Sequence, residues 1–285
     1  MIGLNPSTYY RKPKVRREDR ERNDASLRDS IEAIQSEYPQ AGYRTIHQQL
    51  RRIGQRINSK RVRRVMAKFS LHAKACKAFV ATTDSNHSYP IYENLIAGKT
   101  VTGIDQVWVA DITYIRILTG FVYLAVVLDI YSRRVIGWAI SKSIDHTLTV
   151  AALEMAIRLR NPLAGVIHHS DRGVQYACEQ YIALLQAHGI LVSMSRPGNP
   201  YDNAFAESFM KTLKREEVHL WEYESFLDVI QSVPRFIEKV YNKKRVHSGI
   251  NYLPPEEFET ILKETPDNKL SQIALHIAPL NRSTR

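Results

Sequence analysis

The sequence predicts an α/β protein in which a mixed five-stranded sheet has helices on both faces and a small helical domain precedes it. Two patterns support this fold class. Between residues 25 and 69, apolar side chains recur three and four positions apart, as in amphipathic helices. From Val107 onward, three strand-like runs joined by turns are followed by alternating helix-like and strand-like segments.

Length and composition are those of a globular protein with room for one large core and a smaller module. The chain has 285 residues, of which 44% are hydrophobic. Its two cysteines, Cys76 and Cys178, lie far apart, so neither a disulfide framework nor a four-ligand zinc site is expected. The longest apolar run, residues 122–128, is much shorter than the roughly 20 residues of a membrane span. We therefore expect a cytoplasmic protein without membrane association.

The positive charge is concentrated at one end of the chain. The net charge is +11, and residues 1–80 contain 19 Lys and Arg against 7 Asp and Glu, a balance of +12. The remaining 205 residues contain 21 and 22, a balance of −1. This concentration favours a dedicated nucleic-acid-binding segment, although a solvated basic surface without a partner is the alternative.

Three helices are predicted within this basic segment, at residues 25–38, 43–53 and 60–69. Pro39 and Gly42 interrupt the first pair, and residues 54–57 form a turn before the third helix. Asn58 or Ser59 can cap the third helix, because side-chain oxygens at this position accept a free backbone N–H.

The third of these helices combines an apolar stripe with a cationic remainder. The apolar residues fall at positions i, i+3, i+4 and i+7: Val62, Val65, Met66 and Phe69. The cations cover the other sides: Arg61, Arg63, Arg64 and Lys68. A short helix of this kind suits the recognition element of a helix-turn-helix, and a solvated amphipathic helix is the alternative. We favour DNA contact because the helix lies inside the basic segment.

The chain is predicted to divide into four regions. Residues 1–80 form the helix-turn-helix region, and residues 81–103 are interpreted as a linker with a short helix around residues 91–97. Residues 104–262 form the core domain, and residues 263–285 are a polar tail with little core.

The core domain is predicted to follow the order β-β-β-α-β-α-β-α. The predicted strands are residues 107–115, 121–129, 134–140, 165–169 and 190–195. The predicted helices begin at Asp145 or His146 and end near Arg160, then cover residues 179–188 and 202–218. Thr119 and Gly120 make a turn between the first two strands, and Gly189 ends the second helix.

Three carboxylates lie on these elements where they could meet. Asp111 is in the first strand, Asp171 directly follows the fourth, and Glu207 is on the last helix. Ligands bind at the carboxyl ends of strands in open α/β sheets. Three carboxylates at one point repel one another unless hard divalent cations hold them together. Two metal ions about 4 Å apart would activate water or a 3′-hydroxyl and stabilise the leaving oxygen of a phosphodiester.

Each acid taken singly has an ordinary explanation. A lone aspartate in a strand is often a hydrogen-bonded structural group, as we expect for Asp129 beside Arg133 and Arg134. Glu207 alone could be an ordinary helix carboxylate.

The residues near Glu207 strengthen the prediction of a DNA-binding site. Lys211 and Lys214 stand four and seven residues after it and therefore share its helix face. They are candidates for binding DNA phosphates, with a solvated Glu–Lys pair as the alternative. Asn203, four residues before Glu207, and Arg172, which follows the second aspartate, are further candidates for DNA contact.

The spacing and the surrounding strings resemble the OrfB product of insertion sequences with two overlapping reading frames. Asp111, Asp171, 35 intervening residues and Glu207, with Lys214 seven further on, are similar to the DD(35)E signature of insertion-sequence transposases and retroviral integrases. The strings that carry the resemblance are residues 108–114, 169–176, 195–213 and 241–248, with residues 43–64 for the helix-turn-helix. It covers roughly residues 4–258.

The resemblance implies an RNase H-like fold and catalytic, metal-binding roles for Asp111, Asp171 and Glu207. It implies Mg²⁺ or Mn²⁺ as cofactor, two ions per active site, and a reaction on double-stranded DNA in which a nicked 3′ end of the element attacks target DNA. Family members usually need an upstream OrfA portion that recognises the terminal repeats. We therefore expect an OrfA partner and a homo-oligomer on DNA, associated with the bacterial nucleoid. A truncated OrfB that binds element ends without cutting, and a plain RNase H-type nuclease, remain alternatives.

Overall fold

The computed structural model describes residues 17–72, 89–196 and 203–264. It divides into two compact units, Met1–Ala75 and Cys76–Arg285. The predictions for residues 1–16, Cys76, the first part of the linker (residues 81–88), residues 197–202 and the tail from residue 265 lie outside the described residues. None of the helices in the described ranges is both long enough and apolar enough to cross a membrane.

The first unit is a three-helix domain. Its helices are α1 (Arg17–Glu37), α2 (Tyr43–Arg52) and α3 (Ser59–Lys68). Side chains at the predicted apolar spacings form its core: Leu27, Ile31, Ile46, Leu50, Val62 and Val65. Asn58 caps α3 by accepting the N–H of Lys60 at 2.8 Å, as predicted. α1 begins eight residues earlier than predicted, because its polar first turns carry Glu18 and Asp19, which stabilise a helix start without an apolar stripe.

The second unit is built on a five-stranded mixed sheet with the strand order β3-β2-β1-β4-β5. The strands are β1 (Val107–Ile117), β2 (Gly120–Asp129), β3 (Val135–Ser141), β4 (Ile167–Ser170) and β5 (Leu191–Met194). β1, β2 and β3 are antiparallel neighbours, whereas β4 runs parallel to both β1 and β5. This RNase H-like sheet confirms the predicted fold class.

Helices cover both faces of the sheet. One face packs against α4 (His146–Arg160), α5 (Val174–Ala177) and α6 (Glu179–Ala187). The other packs against α7 (Ala204–Glu216), α8 (Phe226–Arg235) and the π-helical turn Phe236–Tyr241. The remaining elements are the 3₁₀ turns Val218–Leu220 and Ser248–Ile250, and α9 (Pro255–Glu264).

The alternation along β1 decides which face carries the first aspartate. Trp108 and Ala110 pack on the α4 side, and Val107 and Val109 pack on the α7 side. Because successive strand residues point to opposite faces, Asp111 lies on the α7 side.

Besides the start of α1, the fold differs from the prediction at residues 91–97 and in three helices that were not predicted, α5, α8 and α9. The short helix expected around residues 91–97 is a turn, because the Asn94 side chain accepts the N–H groups of Ile96 and Ala97 at 3.0 and 3.1 Å. This local bonding competes with a helix. α8 was not predicted, although Ser225 and Asp228 form a capping box at its start.

Candidate active site and DNA-binding surface

Strand register brings Asp111 and Asp171 together. The parallel pairing of β1 with β4 joins Val107 to Ile167 and Val109 to His169. Asp111 in β1 and Asp171, which directly follows β4, each lie two residues beyond the last of these pairs, and neighbouring strands lie about 4.8 Å apart, so the two residues are close together. Both side chains continue the alternation that faces α7. The sheet therefore supplies a pair of carboxylates in front of this helix.

The loop after β4 is shaped by hydrogen bonds to its first residues. Asp171 Oδ1 accepts the N–H of Gly173 at 2.9 Å. A Cβ atom at Gly173 would lie only 3.0 Å from that oxygen, so a side chain here would displace the carboxylate. Arg172 donates from Nε to the Ser195 carbonyl at 2.8 Å, and Ser195 N–H donates to the Ser170 carbonyl. These bonds join the loop to the end of β5.

The buried side chain of His169 connects the end of β4 to the end of β5 by hydrogen bonds. His169 Nδ1 lies 2.8 Å from Ser193 Oγ, and its Nε2 lies 3.0 Å from Ser195 Oγ. All three side chains are buried. Sequence reasoning assigned no function to His169, and its position two residues before Asp171 was the available signal.

The start of α7 is tied to β1 next to the first aspartate. Asn203 is 7% exposed, and its Nδ2 donates to the Ala110 carbonyl at 3.0 Å. Glu207 follows in the first turn of α7 and is exposed. This hydrogen bond sets where the helix begins, and therefore where Glu207 lies relative to Asp111.

Burial of Asp111 and the like charges of its neighbouring carboxylates dominate the electrostatics of the site. Burial raises the pKa of Asp111 from 3.8 to about 8, and the charges of Asp171 and Glu207 add to the effect. The N–H of Ile112 and the ammonium of Lys214 oppose it. Burial also raises the pKa of Glu207, against the charge of Lys211. At neutral pH the protonated form of the Asp111 carboxyl is therefore favoured, even with the Lys214 ammonium nearby.

The chemistry of the donors fits a hard divalent metal ion. Asp111, Asp171 and Glu207 offer only oxygen atoms, and the raised pKa of Asp111 means that a nearby cation would be favourable. Within the ranges that the structure describes, no three His, Cys, Asp or Glu side chains are grouped closely enough to hold a metal ion.

Asp129, the aspartate expected to be structural, has that role. It is fully buried, and its carboxylate accepts the N–H groups of Asp105, Tyr131 and Ser132. It lies at the end of β2, away from the pair formed by Asp111 and Asp171.

Comparison with known proteins identifies the family. Residues 102–200 and 188–255 each match a family described as "Integrase core domain", and residues 21–79 match an "HTH-like domain". The transposase for insertion sequence element IS904 of Lactococcus lactis subsp. lactis (strain IL1403) is 35% identical over 252 residues, covering 88% of this chain and 98% of that protein. The chain belongs to the OrfB-type insertion-sequence transposases.

The chain is also similar to two further relatives and to one solved structure. An uncharacterized 31 kDa protein of insertion element IS600 from Shigella sonnei is 35% identical over 260 residues, 90% of this chain and 96% of that protein. Transposase InsF for insertion sequence IS3A of Escherichia coli (strain K12) is 40% identical over 212 residues, 74% of each chain. The catalytic core domain of BIV integrase is 19% identical with a TM-score of 0.43, covering 56% of this chain and 96% of that one.

Lys214 of the transposase, which the sequence predicts to bind DNA phosphates, is buried. It is only 8% exposed, and its Nζ lies 4.3 Å from the centre of the Tyr114 ring. Burial lowers the pKa of Lys214 to about 8, and the charge of Asp111 opposes this shift. Lys214 is therefore an interior cation beside the first aspartate, whereas Lys211 is exposed.

Two of the other predicted DNA contacts are also engaged by the fold. Asn203 is buried against β1, and Arg172 binds the Ser195 carbonyl. The Asn203 side chain thus helps to position the start of α7, and a contact between Asn203 and DNA stays a prediction. A contact between Arg172 and DNA likewise stays a prediction.

In the helix-turn-helix unit, the predicted DNA-contact cations fall into two groups. Arg61, Arg64 and Lys68 lie 3.3, 2.9 and 3.8 Å from the carboxylate of Asp24, which is 2% exposed. Arg63 is exposed and lies 5.8 Å from the centre of the Tyr43 ring. Sequence reasoning missed Asp24, although it stands three residues before Leu27 and so continues the buried stripe of α1.

Proposed function

We propose that this transposase is a metal-dependent polynucleotidyl transferase that nicks a DNA strand and joins the freed 3′-hydroxyl to target DNA. The observation that carries the proposal is the pair formed by Asp111 and Asp171 through strand register, with Glu207 on the facing helix. The raised pKa of Asp111 supports it, because burial and the like charges of Asp171 and Glu207 outweigh the nearby Lys214 ammonium and disfavour the ionised form.

Asp111, Asp171 and Glu207 would hold the cofactor, which we propose to be two Mg²⁺ or Mn²⁺ ions. When bound, the metal supplies activation of the attacking oxygen and stabilisation of the leaving oxygen. Asp111 would release its proton as it becomes a ligand, and the hydrogen bond from Gly173 would keep Asp171 Oδ1 oriented.

The two lysines of α7 would have different tasks. Lys211 is exposed four residues after Glu207, which suits contact with a DNA phosphate near the site. Lys214 lies inside, over the Tyr114 ring and near Asp111, so its ammonium would reach only a phosphate that has entered the site. Until then it compensates the charge of the carboxylates.

The helix-turn-helix unit would bind the element ends. Arg63 is exposed on α3 and pairs with no acid among the described residues, so we propose that it contacts bases. Arg61, Arg64 and Lys68 share the buried Asp24 and are half exposed, so we propose that they bind phosphates in an orientation set by that carboxylate. The partners would be double-stranded DNA, an upstream OrfA portion and further copies of this chain on the bacterial nucleoid.

A strand-transfer assay on candidate element ends tests the proposal. Glu207→Gln should abolish cleavage with Mg²⁺ or Mn²⁺ and leave DNA affinity nearly unchanged, because it removes one metal ligand and little surface charge. Glu222→Gln changes an exposed glutamate outside the site and is the matched control.

The assay is run with and without an OrfA portion, and its outcomes separate the alternatives. Cleavage that survives Glu207→Gln rules out the acidic triad. Wild-type protein that binds the ends but never cuts them, with either ion and with OrfA present, indicates a DNA-binding regulator instead.

A further inference from the structure

We propose that residues 241–249, together with Arg133, form a bracket that positions α7, and with it Glu207, for metal binding. This inference rests on the proposed function of Glu207. The contacts described below hold the side of the helix opposite Glu207, and each of them can be tested separately.

Aromatic contacts hold the first half of α7. The guanidinium carbon of Arg133 lies 4.0 Å from the centre of the Phe205 ring. One turn later, the rings of Phe209 and Tyr241 meet edge to face with centres 4.8 Å apart. Stacked and edge-to-face contacts of this kind are directional, so they resist rotation of the helix as well as its separation from the core.

A bidentate ion pair holds the last turn of α7. Arg245 donates from Nε and Nη2 to the two carboxylate oxygens of Glu216 at 2.7 and 3.0 Å. Both side chains are mostly buried, with 18% and 12% exposed. Burial opposes ionisation of Glu216, but hydrogen bonds and charges from Arg245 and Arg215 hold the pKa of Glu216 below its ordinary value. A bidentate guanidinium–carboxylate pair fixes both distance and angle.

The bracket is itself anchored to the edge of the sheet. Asn242 is 6% exposed; its Nδ2 donates to the Val135 carbonyl at 2.9 Å, and its Oδ1 accepts the Val135 N–H at 3.0 Å. The amide thus satisfies both backbone groups of one residue on the edge strand β3, as a neighbouring strand would. His247 packs edge to face on Tyr241, with ring centres 4.7 Å apart.

Arg133 is held in place with unusual backbone geometry. Its φ is +64°, a left-handed conformation that non-glycine residues adopt rarely and that persists where surrounding contacts enforce it. A Cβ atom at Gly249 would lie 3.2 Å from Arg133 Nη2, so the glycine leaves room for the guanidinium against Phe205.

The contact points are spaced so as to set the rotation of the helix. Phe205, Phe209 and Glu216 are separated by four and seven residues and lie along one side of α7. Glu207 is two residues after Phe205, so it points about 200° around the helix from that side. A rotation of about 20° would move a group about 6 Å from the axis by about 2 Å. Catalytic constellations tolerate only about 0.5 Å.

The experiment compares Arg245→Ala with Arg215→Ala in the full-length transposase. Both remove a cation from Glu216, but Arg215 is 44% exposed and belongs to α7 itself, so only the first change opens the bracket. Arg245→Ala should raise the Mg²⁺ concentration for half-maximal cleavage about tenfold, with DNA affinity unchanged within about twofold. Arg215→Ala should leave that concentration unchanged. Arg245→Lys keeps the charge but cannot form the bidentate ion pair, so it should raise the Mg²⁺ concentration for half-maximal cleavage by a smaller factor.

A second measurement does not depend on activity. Backbone hydrogen exchange in α7 should rise in Arg245→Ala and not in Arg215→Ala, and added Mg²⁺ should slow it less than in the wild type. The bracket is refuted if cleavage falls equally at every Mg²⁺ concentration and exchange in α7 matches the control. If the wild type shows no metal-dependent cleavage, the proposed function fails, and the exchange comparison still decides whether the bracket holds the helix.

Discussion

Replacing Asp111 by asparagine should stabilise the metal-free catalytic unit while abolishing catalysis. The pKa of this carboxyl is raised from 3.8 to about 8, chiefly by burial. The folded state therefore binds the proton more tightly than the unfolded chain, and stability falls as pH rises between these two values. Asparagine has a similar shape and no charge, so Asp111→Asn removes this loss. The gain should be near zero at pH 4 and largest at pH 8 and above.

The magnitude follows from the same pKa. Moving it from 3.8 to about 8 corresponds to about 6 kcal/mol, because each pKa unit equals about 1.4 kcal/mol. At pH 7, about 4 kcal/mol of this cost is already subtracted from the free energy of unfolding. This value is an upper limit, because Asp111 is half-buried and water screens its charge. Above pH 8, where the carboxyl is ionised, asparagine also deprives Lys214 of a nearby negative charge. We expect a gain of about 2 kcal/mol at pH 7, or about 4–8 °C in Tm for a unit of this size.

Tryptophan fluorescence can follow this unit in the full chain, because Trp108, Trp138 and Trp221 all belong to it. Thermal unfolding is measured from pH 4 to pH 8.5 without divalent ions, with Glu222→Gln as an exposed control. Added Mg²⁺ should raise the Tm of the wild type more than that of Asp111→Asn. Equal stabilisation at pH 4 and pH 8, or no stabilisation at either, would refute the proposed cost of ionising Asp111.

Three further outcomes are expected. Lys211→Ala should reduce the salt dependence of DNA binding by about one counter-ion, whereas Lys214→Ala should mainly lower the cleavage rate. The measurement is the slope of DNA affinity against salt concentration, and a larger change of that slope in Lys214→Ala than in Lys211→Ala would reverse this assignment. Asp24→Asn should destabilise the helix-turn-helix unit by about 1 kcal/mol, measured by hydrogen exchange in α1 and α3, because three cations lose their shared partner; unchanged exchange would show that the pairs are not needed. Gly173→Ala should displace the Asp171 carboxylate and weaken Mg²⁺-dependent stabilisation of the core about tenfold in concentration, and a wild-type response in that titration would contradict the steric argument.

Much of the fold could be predicted from local patterns. Apolar alternation and helical spacing located all five strands and most helices to within a few residues, because the side-chain period of an element is visible in its own sequence. The failures were also local. Asn94 bonds to the backbone and replaces an expected helix by a turn, and the polar first turns of α1 have no apolar period to detect.

The composition of the acidic triad, its 35-residue spacing and the family to which the chain belongs are properties of the sequence by itself. Only the tertiary structure decided which groups meet. Asp111 and Asp171 are neighbours because β1 pairs with β4 in one particular register, and no local pattern contains that register. Burial of Lys214 depends on the phase of α7 against the sheet, which the bracket at Glu216 and Phe209 also helps to set. Periodicity shows which side of an element is apolar; it does not show which partner covers that side, and the partner determines whether a charge is exposed or buried.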